Sequence, residues 1–327
     1  MYIPGVMTTF PPGFRVVASA LVLLLVLGTG ALAKSHRHRL RVPKPARGAQ
    51  MTIGPVTVPH SSEITQCTYF KMPGRKPMSV NRVKINVRGG SHHIHLYRPV
   101  DHSENLPDGH ETCNMALDFS VWELVLASQN LSLDWKLPPG VAFHFQGGEQ
   151  LAAQTHFVDN GLLSTPDDGW AVFNLYSMPS RKVKSYAGAF FGQDRDVVVP
   201  AHSTATATTK CVFPHPVKML AVTGHYHFRG VHFTAGTWDG TSGNDFYDYK
   251  GYLDPPFLRF GADELETPGL QWTCTYQNDT DETFTFGPFT DRNEHCNVFA
   301  FYYPAVGTNE FMTCVQKNDV VTVDVKN

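Results

Sequence analysis

Thr204-Ala205-Thr206-Ala207-Thr208 alternates polar and apolar residues, the period of a strand that turns one face to a core. Thr283-Phe284-Thr285-Phe286 and Val321-Thr322-Val323-Asp324-Val325 repeat the pattern. Runs of this kind, bounded by Gly, Pro, Asn and Asp, read as half-buried strands. Only the stretch DFSVWELVLAS at 118–128 predicts a short helix. Many short strands bury best as two packed sheets. The fold class is therefore all-β, with two antiparallel β-sandwich domains in tandem. Val197-Val198-Val199-Pro200 ends one run, which sets an N-terminal domain at 51–198 and a C-terminal domain at 199–327.

Composition agrees. Charged residues are only 17% of the chain while Gly (27) and Pro (23) are plentiful, which favours a loop-rich β protein over a helical bundle. The formal charge of -2 excludes the basic stripe that a nucleic-acid partner would require.

The N-terminus reads as an export signal over residues 1–33. Arg15 precedes the apolar run from Val16 to Leu27, and Ala31-Leu32-Ala33 offers a cleavage site. Lys34, Arg37, Arg39, Arg41, Lys44 and Arg47 follow at once, a pattern that also suits an uncleaved anchor. A membrane is a partner only in that second case. Residues 34–50, basic and carrying Pro43 and Pro45, read as an extended leader. Cleavage after Ala33 would expose Lys34-Ser35-His36, an amine, backbone nitrogens and an imidazole that can wrap Cu(II) in a plane.

Cys67, Cys113, Cys211, Cys274, Cys296 and Cys314 are even in number and form no Cys-x-x-Cys pair. That fits disulfides in a secreted or secretory-lumen protein rather than a zinc ribbon. Asn130-Leu-Ser and Asn278-Asp-Thr match the glycosylation acceptor pattern.

Histidine carries the chemistry. His92-His93-Ile94-His95, Gln154-Thr155-His156, His225-Tyr226-His227 and Glu294-His295-Cys296-Asn297 stand out among sixteen histidines, and imidazole suits copper, zinc and iron. His225 and His227 share a strand face, although a bare His-x-His is more often a pair of surface residues. His92 and His93 would fall on opposite faces of a regular strand, so geometry alone pairs His93 with His95. Joint binding by the two neighbours needs a bulge. His60, His102, His110, His202 and His215 read as structural or solvated.

Together these fragments resemble the copper type II, ascorbate-dependent monooxygenases, the family of peptidylglycine alpha-hydroxylating monooxygenase and dopamine beta-hydroxylase. His92-His93-Ile94, Gln154-Thr155-His156, His225-Tyr226-His227, Cys274-Thr275-Tyr276, Glu294-His295-Cys296 and Tyr302-Tyr303-Pro304 follow the family's motifs in order from about residue 60 onward. The resemblance implies jelly-roll-like domains with one copper on each, two per chain. His92, His93 and His156 would hold the copper that stores an electron. His225, His227 and His295 would hold the one that binds oxygen and hydroxylates carbon, with ascorbate as reductant. It also implies disulfides Cys274–Cys296 and Cys211–Cys314, leaving Cys67–Cys113. The two metal cradles are expected to face each other over a solvent gap.

The chain departs from that family in places. His295 stands where a Met supplies a thioether, and a third imidazole favours Cu(II). Thr223 replaces the Arg that holds a peptide carboxylate in amidating members, and it offers no bidentate fork. Asn297 matches a family Asn near the substrate, while Phe299 replaces a Tyr. The expected function is a secreted monooxygenase acting on a small or peptide-like substrate with molecular oxygen, with His225, His227, His295 and Asn297 as its catalytic residues. A non-catalytic copper or electron-transfer protein is an alternative. So is a zinc hydrolase at His225, His227 and His295, since three imidazoles on zinc lower the pKa of water.

Overall fold

The alternating stretch at 204–208 opens the longest strand, Ser203–His225. Thr204, Thr206 and Thr208 are exposed while Ala205 and Ala207 turn inward. At Phe213-Pro214-His215-Pro216 the ladder register jumps between Val212 and Val217. Proline has no N–H to donate, so pairing breaks there. Beyond the break the strand joins the buried strand Cys296–Tyr303 in antiparallel register, and every residue from Met219 to His225 is buried. A strand covered on both faces loses its alternation.

The computed structural model describes residues 40, 42–88, 90–101, 106, 109–113, 118–159, 167–253 and 255–326. The expected export signal at 1–33, the Lys34-Ser35-His36 site and His102 lie outside them. All the described residues belong to a single compact unit. They form an all-β molecule in which the only helical element is a 3₁₀ turn at Ser180–Lys182. Among them no helix is long and apolar enough to cross a membrane.

In the N-terminal half a six-stranded sheet carries Gly48–Val58, Asp167–Met178, Met78–Arg88 and Val141–Phe145, and a five-stranded sheet carries Glu63–Lys71, Gln150–Val158, Ser91–Pro99 and Trp122–Ser128. A nine-stranded sheet holds most of the C-terminal half, and Gly188–Asp194 already belongs to it. Between the described strands pairing is antiparallel except for two parallel ladders, Ser185–Tyr186 with Val141–Phe145 and Gly188–Asp194 with Phe311–Lys317. The helix expected at 118–128 is instead the strand Trp122–Ser128, buried at all seven positions. A fully buried strand reads as a continuous apolar run, which periodicity cannot separate from a helix.

The expected leader ends in structure. Gly48–Gln50 open the first strand, Val42 O accepts from Gln50 Nε2 at 2.9 Å, and Pro43 O accepts from Asn174 Nδ2 at 2.9 Å.

One apolar core gathers Ile85, Leu151, Phe157 and Phe173 of the N-terminal half with Leu220, Phe299, Phe301 and Phe311 of the C-terminal half. Trp135 meets Phe301 at 5.3 Å between ring centroids. A second cluster around Phe233, Trp272 and Tyr302 fills the C-terminal half.

Cys67–Cys113, Cys211–Cys314 and Cys274–Cys296 are all bridged and no cysteine is free. This cysteine usage is compatible with an oxidising compartment. A glycan on Asn278 does not fit the fold. The residue is fully buried, and its Nδ2 donates to Pro200 O at 2.8 Å and to Glu282 O at 2.7 Å.

Candidate metal centre

The first histidine group grows from a bulge. Strand Ser91–Pro99 pairs with Gln150–Val158, and the register slips between Ser91 and His93. A Cβ at Gly90 would lie 1.9 Å from Val158 O, so only glycine allows the approach that starts this bulge. The extra residue is His92. The slip brings both neighbours to one side, as their joint use requires. His93 stands directly across from His156. Ring centroids are 5.4 Å apart for His92–His93, 5.3 Å for His92–His156 and 5.1 Å for His93–His156. One nitrogen from each ring falls within 4.8 Å of the others.

The second group sits where the long strand ends. His225 is its last residue, opposite Asn297. Tyr226 turns inward and stacks on Phe233 at 5.6 Å, which leaves His225 and His227 on the other side. His227 N donates to Glu294 Oε2 at 3.2 Å, and its Nδ1–H donates to Asn293 O at 2.9 Å. A carbonyl only accepts, so this bond fixes the tautomer and leaves Nε2 as the donor toward a metal. Burial pushes the fully enclosed Glu294 up to about 7 even though Arg229 is paired with it. The Cys274–Cys296 bridge anchors the chain just after His295, and the His295 ring lies 4.3 Å from His227 and 5.4 Å from His225.

The two groups touch, which corrects the expectation of a solvent gap. His92 lies 4.9 Å from His225 and 5.4 Å from His227, and His93 lies 5.0 Å from His225. The reason is the shared apolar core, which packs the end of the long strand against the bulge. Among the described residues the donor atoms form two tight triads, His92-His93-His156 and His92-His225-His227. His295 adjoins the second triad, its ring packed on Phe286 at 5.1 Å.

Three further residues join the cluster, and two of them, Gln129 and Glu63, carry no mark in the sequence. His95 stacks on His93 at 4.2 Å with nearly parallel rings, and its Nδ1 is 2.9 Å from Tyr97 Oη. The Gln129 amide spans both groups: Oε1 accepts from His225 Nδ1 at 3.0 Å, and Nε2 is 3.4 Å from His92 Nδ1. Glu63 accepts from His156 Nε2 at 3.0 Å and from Thr290 Oγ1 at 2.7 Å, tying a histidine of one half to a loop of the other. Only strand register could have revealed Glu63. Thr65 pairs with His156, and Glu63, two residues earlier, lies on the same face.

Electrostatics keep the rings ready to coordinate. Burial first, then neighbouring imidazoles, hold His92, His93, His225 and His295 well below the usual histidine value. Burial lowers His95 to about 3 and His227 to about 4. Neutral rings have a free lone pair at ordinary pH. Burial alone would raise Glu63, but its bonds to His156 and Thr290 outweigh that and bring it to about 2, so it is a carboxylate throughout. His92 Nε2, His93 Nδ1, His295 Nδ1 and Asn297 Oδ1 are buried without a hydrogen-bond partner in the protein. Buried polar atoms are normally paired, and unpaired nitrogens within such a cluster of imidazoles fit a metal.

Thr223 is buried and its hydroxyl turns to Gly224 O at 3.5 Å, so it cannot meet a substrate carboxylate. Phe299 packs between His95 at 4.8 Å and Phe191 at 4.9 Å. An open cleft of about 490 Å³ lies beside His92, with Glu63, Gln129, Phe228, Tyr252 and Leu253 on its walls.

Comparison with protein-family models and with curated proteins finds no match. Among solved structures the chain is similar to the STIV MCP, at 10% identity and a TM-score of 0.27, over 78% of this chain and 96% of that one. It is also similar to the major capsid protein P2 from Bacteriophage PM2, at 10% identity and a TM-score of 0.29, over 79% and 98% of the two chains. Likeness this loose says nothing about what the histidines do.

Proposed function

We propose that this chain is an exported copper-dependent monooxygenase that uses O2 and ascorbate to hydroxylate a C–H bond of a small or peptide-like substrate. One observation carries the reading: neutral imidazoles from distant strands converge, with His92 Nε2, His93 Nδ1 and His295 Nδ1 buried and unpaired. This donor set fits copper, which as a one-electron redox ion would supply the oxygen chemistry. His92, His93 and His156 would hold one ion. His225 and His227, with His295 beside them, would hold the other.

The protein's own part is positioning. Glu63 orients His156, Asn293 O orients His227, and Gln129 orients His225; such partners fix the tautomer and raise ligand basicity. Phe191 and Phe299 line the inner side of the cluster together with Asn297 and keep it poor in water. Substrate has room in the cleft beside His92, whose walls combine Phe228 and Tyr252 with Ser61, Ser62 and Glu63. The three disulfides support export.

The test is metal content of protein made in a copper-replete host, followed by ascorbate-driven oxygen uptake across candidate substrates. Two coppers per chain and uptake matched by hydroxylated product are expected. Copper without coupled turnover would make this a copper-binding or electron-transfer protein. Zinc alone would point to hydrolysis.

A further inference from the structure

We propose that His92 bridges two metal ions through its two ring nitrogens, so that the cluster is one coupled pair of metal positions and not two independent ones. The inference rests on metal occupancy as read above, and it goes beyond the division into two separate three-histidine sites.

Membership comes first. Two tight donor triads exist among the described residues, and His92 is in both. Its ring contacts His93, His156, His225 and His227 at 4.9 to 5.4 Å. The bulge at Ser91/His93 is what lifts it out of the ladder to stand between the groups.

Nitrogen accounting comes second. An imidazole has two ring nitrogens, and one engaged in a hydrogen bond leaves a single donor. His156 commits Nε2 to Glu63 at 3.0 Å, His225 commits Nδ1 to Gln129 at 3.0 Å, and His227 commits Nδ1 to Asn293 O at 2.9 Å. Each can serve one ion. His92 Nε2 is buried without a protein partner, and Nδ1 meets only the Gln129 amide at 3.4 Å, longer than an ordinary N–H bond. Neither of its nitrogens is held by a short hydrogen bond, so both can turn to metal once the weak Gln129 contact is given up.

A neutral ring offers one lone pair, so a bridge requires loss of the ring N–H proton. The second ion takes the freed lone pair and one proton leaves to solvent through the cleft that His92 lines. No oxidation state changes. The resulting negative ring offsets the repulsion between two cations packed this closely.

Spin counting by electron paramagnetic resonance on the full chain tests this with Cu(II) alone. One equivalent should give one full spin. A second equivalent should lower the total intensity instead of doubling it, with release of about one extra proton. His92→Ala should abolish the coupling, with the circular dichroism and melting of its apo form serving as the folding control. The wild-type spin count stands whether or not that variant folds. Two coppers that give two full spins would overturn the bridge and leave the copper monooxygenase reading intact. Saturation at one copper would likewise overturn the bridge. No copper binding at all would sink both.

Discussion

Two populations of histidine divide this molecule. Four outer ones have carboxylate partners: His202 with Asp281 at 2.7 Å, His215 with Glu310 at 2.8 Å, His232 with Asp248 at 3.0 Å and His60 with Asp159 at 3.5 Å. The inner ones (His92, His93, His95, His156, His225, His227 and His295) have mainly each other, and among the described residues the ion pair of Glu63 with His156 is their one side-chain carboxylate contact. A carboxylate favours the charged imidazolium, whereas burial among imidazoles favours the neutral ring. The first arrangement suits solvated surface pairs. The second keeps lone pairs exposed to one another, at a cost that a bound metal would offset.

Metal loading should separate the two populations most sharply. At about a thousandfold excess over Kd, an ion that binds only the folded chain stabilises it by about 4 kcal/mol. Calorimetry with and without Cu(II) should show that gain in the wild type. His227→Ala should lower the metal content and shrink the gain, while His232→Ala should match the wild type in both. Equal loss from the inner and outer variants would break the comparison.

Glu63 sharpens it, because it is the inner carboxylate. Glu63→Gln keeps the shape but removes the charge that orients His156. Removing such a partner costs roughly 10–100-fold in metal affinity. Competition titration should show that loss, whereas Asp281→Asn, which strips the exposed partner from His202, should leave affinity unchanged.

Much of this was legible beforehand, for local reasons. The alternation at 204–208 is a property of strand geometry, and it survives folding. The need for a bulge at His92-His93 follows from the two-residue period alone. The seven-residue strand at 122–128 was hidden because burial on both faces erases its period. Gln129 and Glu63 were hidden because their roles depend on which strand end meets which, and His92's double membership depends on how the two halves pack. Those are facts of tertiary register that no local spacing encodes.

Acid should act on His95 and His227 and on His215 with opposite sign. In the unfolded chain the inner rings protonate near the ordinary value of about 6.5, but in the folded chain His227 holds out to about 4 and His95 to about 3. Below pH 6.5 the unfolded state therefore binds more protons, and stability falls with pH. Their contribution is full above about 6.5 and is lost as pH drops through the folded values. Glu63, lowered to about 2, adds a further loss below its unfolded value. Urea midpoints of the apo protein should fall steadily from pH 7.5 to pH 5. A flat profile would mean the inner rings are protonated in the fold.

His215 gives the smallest effect and the opposite slope. Its bond to the buried Glu310 raises its pKa above the usual value, so the folded state is the one that holds the extra proton. That contribution is complete below about pH 6.5 and disappears as pH rises through the folded value. The ring is 29% exposed, so solvent screens the pair and its worth stays within about 1 kcal/mol. His215→Ala should therefore be slightly less stable than the wild type at pH 5.5 and should converge on it by pH 8.5. A variant whose deficit grew with pH would place His215 among the inner rings, since only a ring held neutral by the fold loses more as protons become scarce.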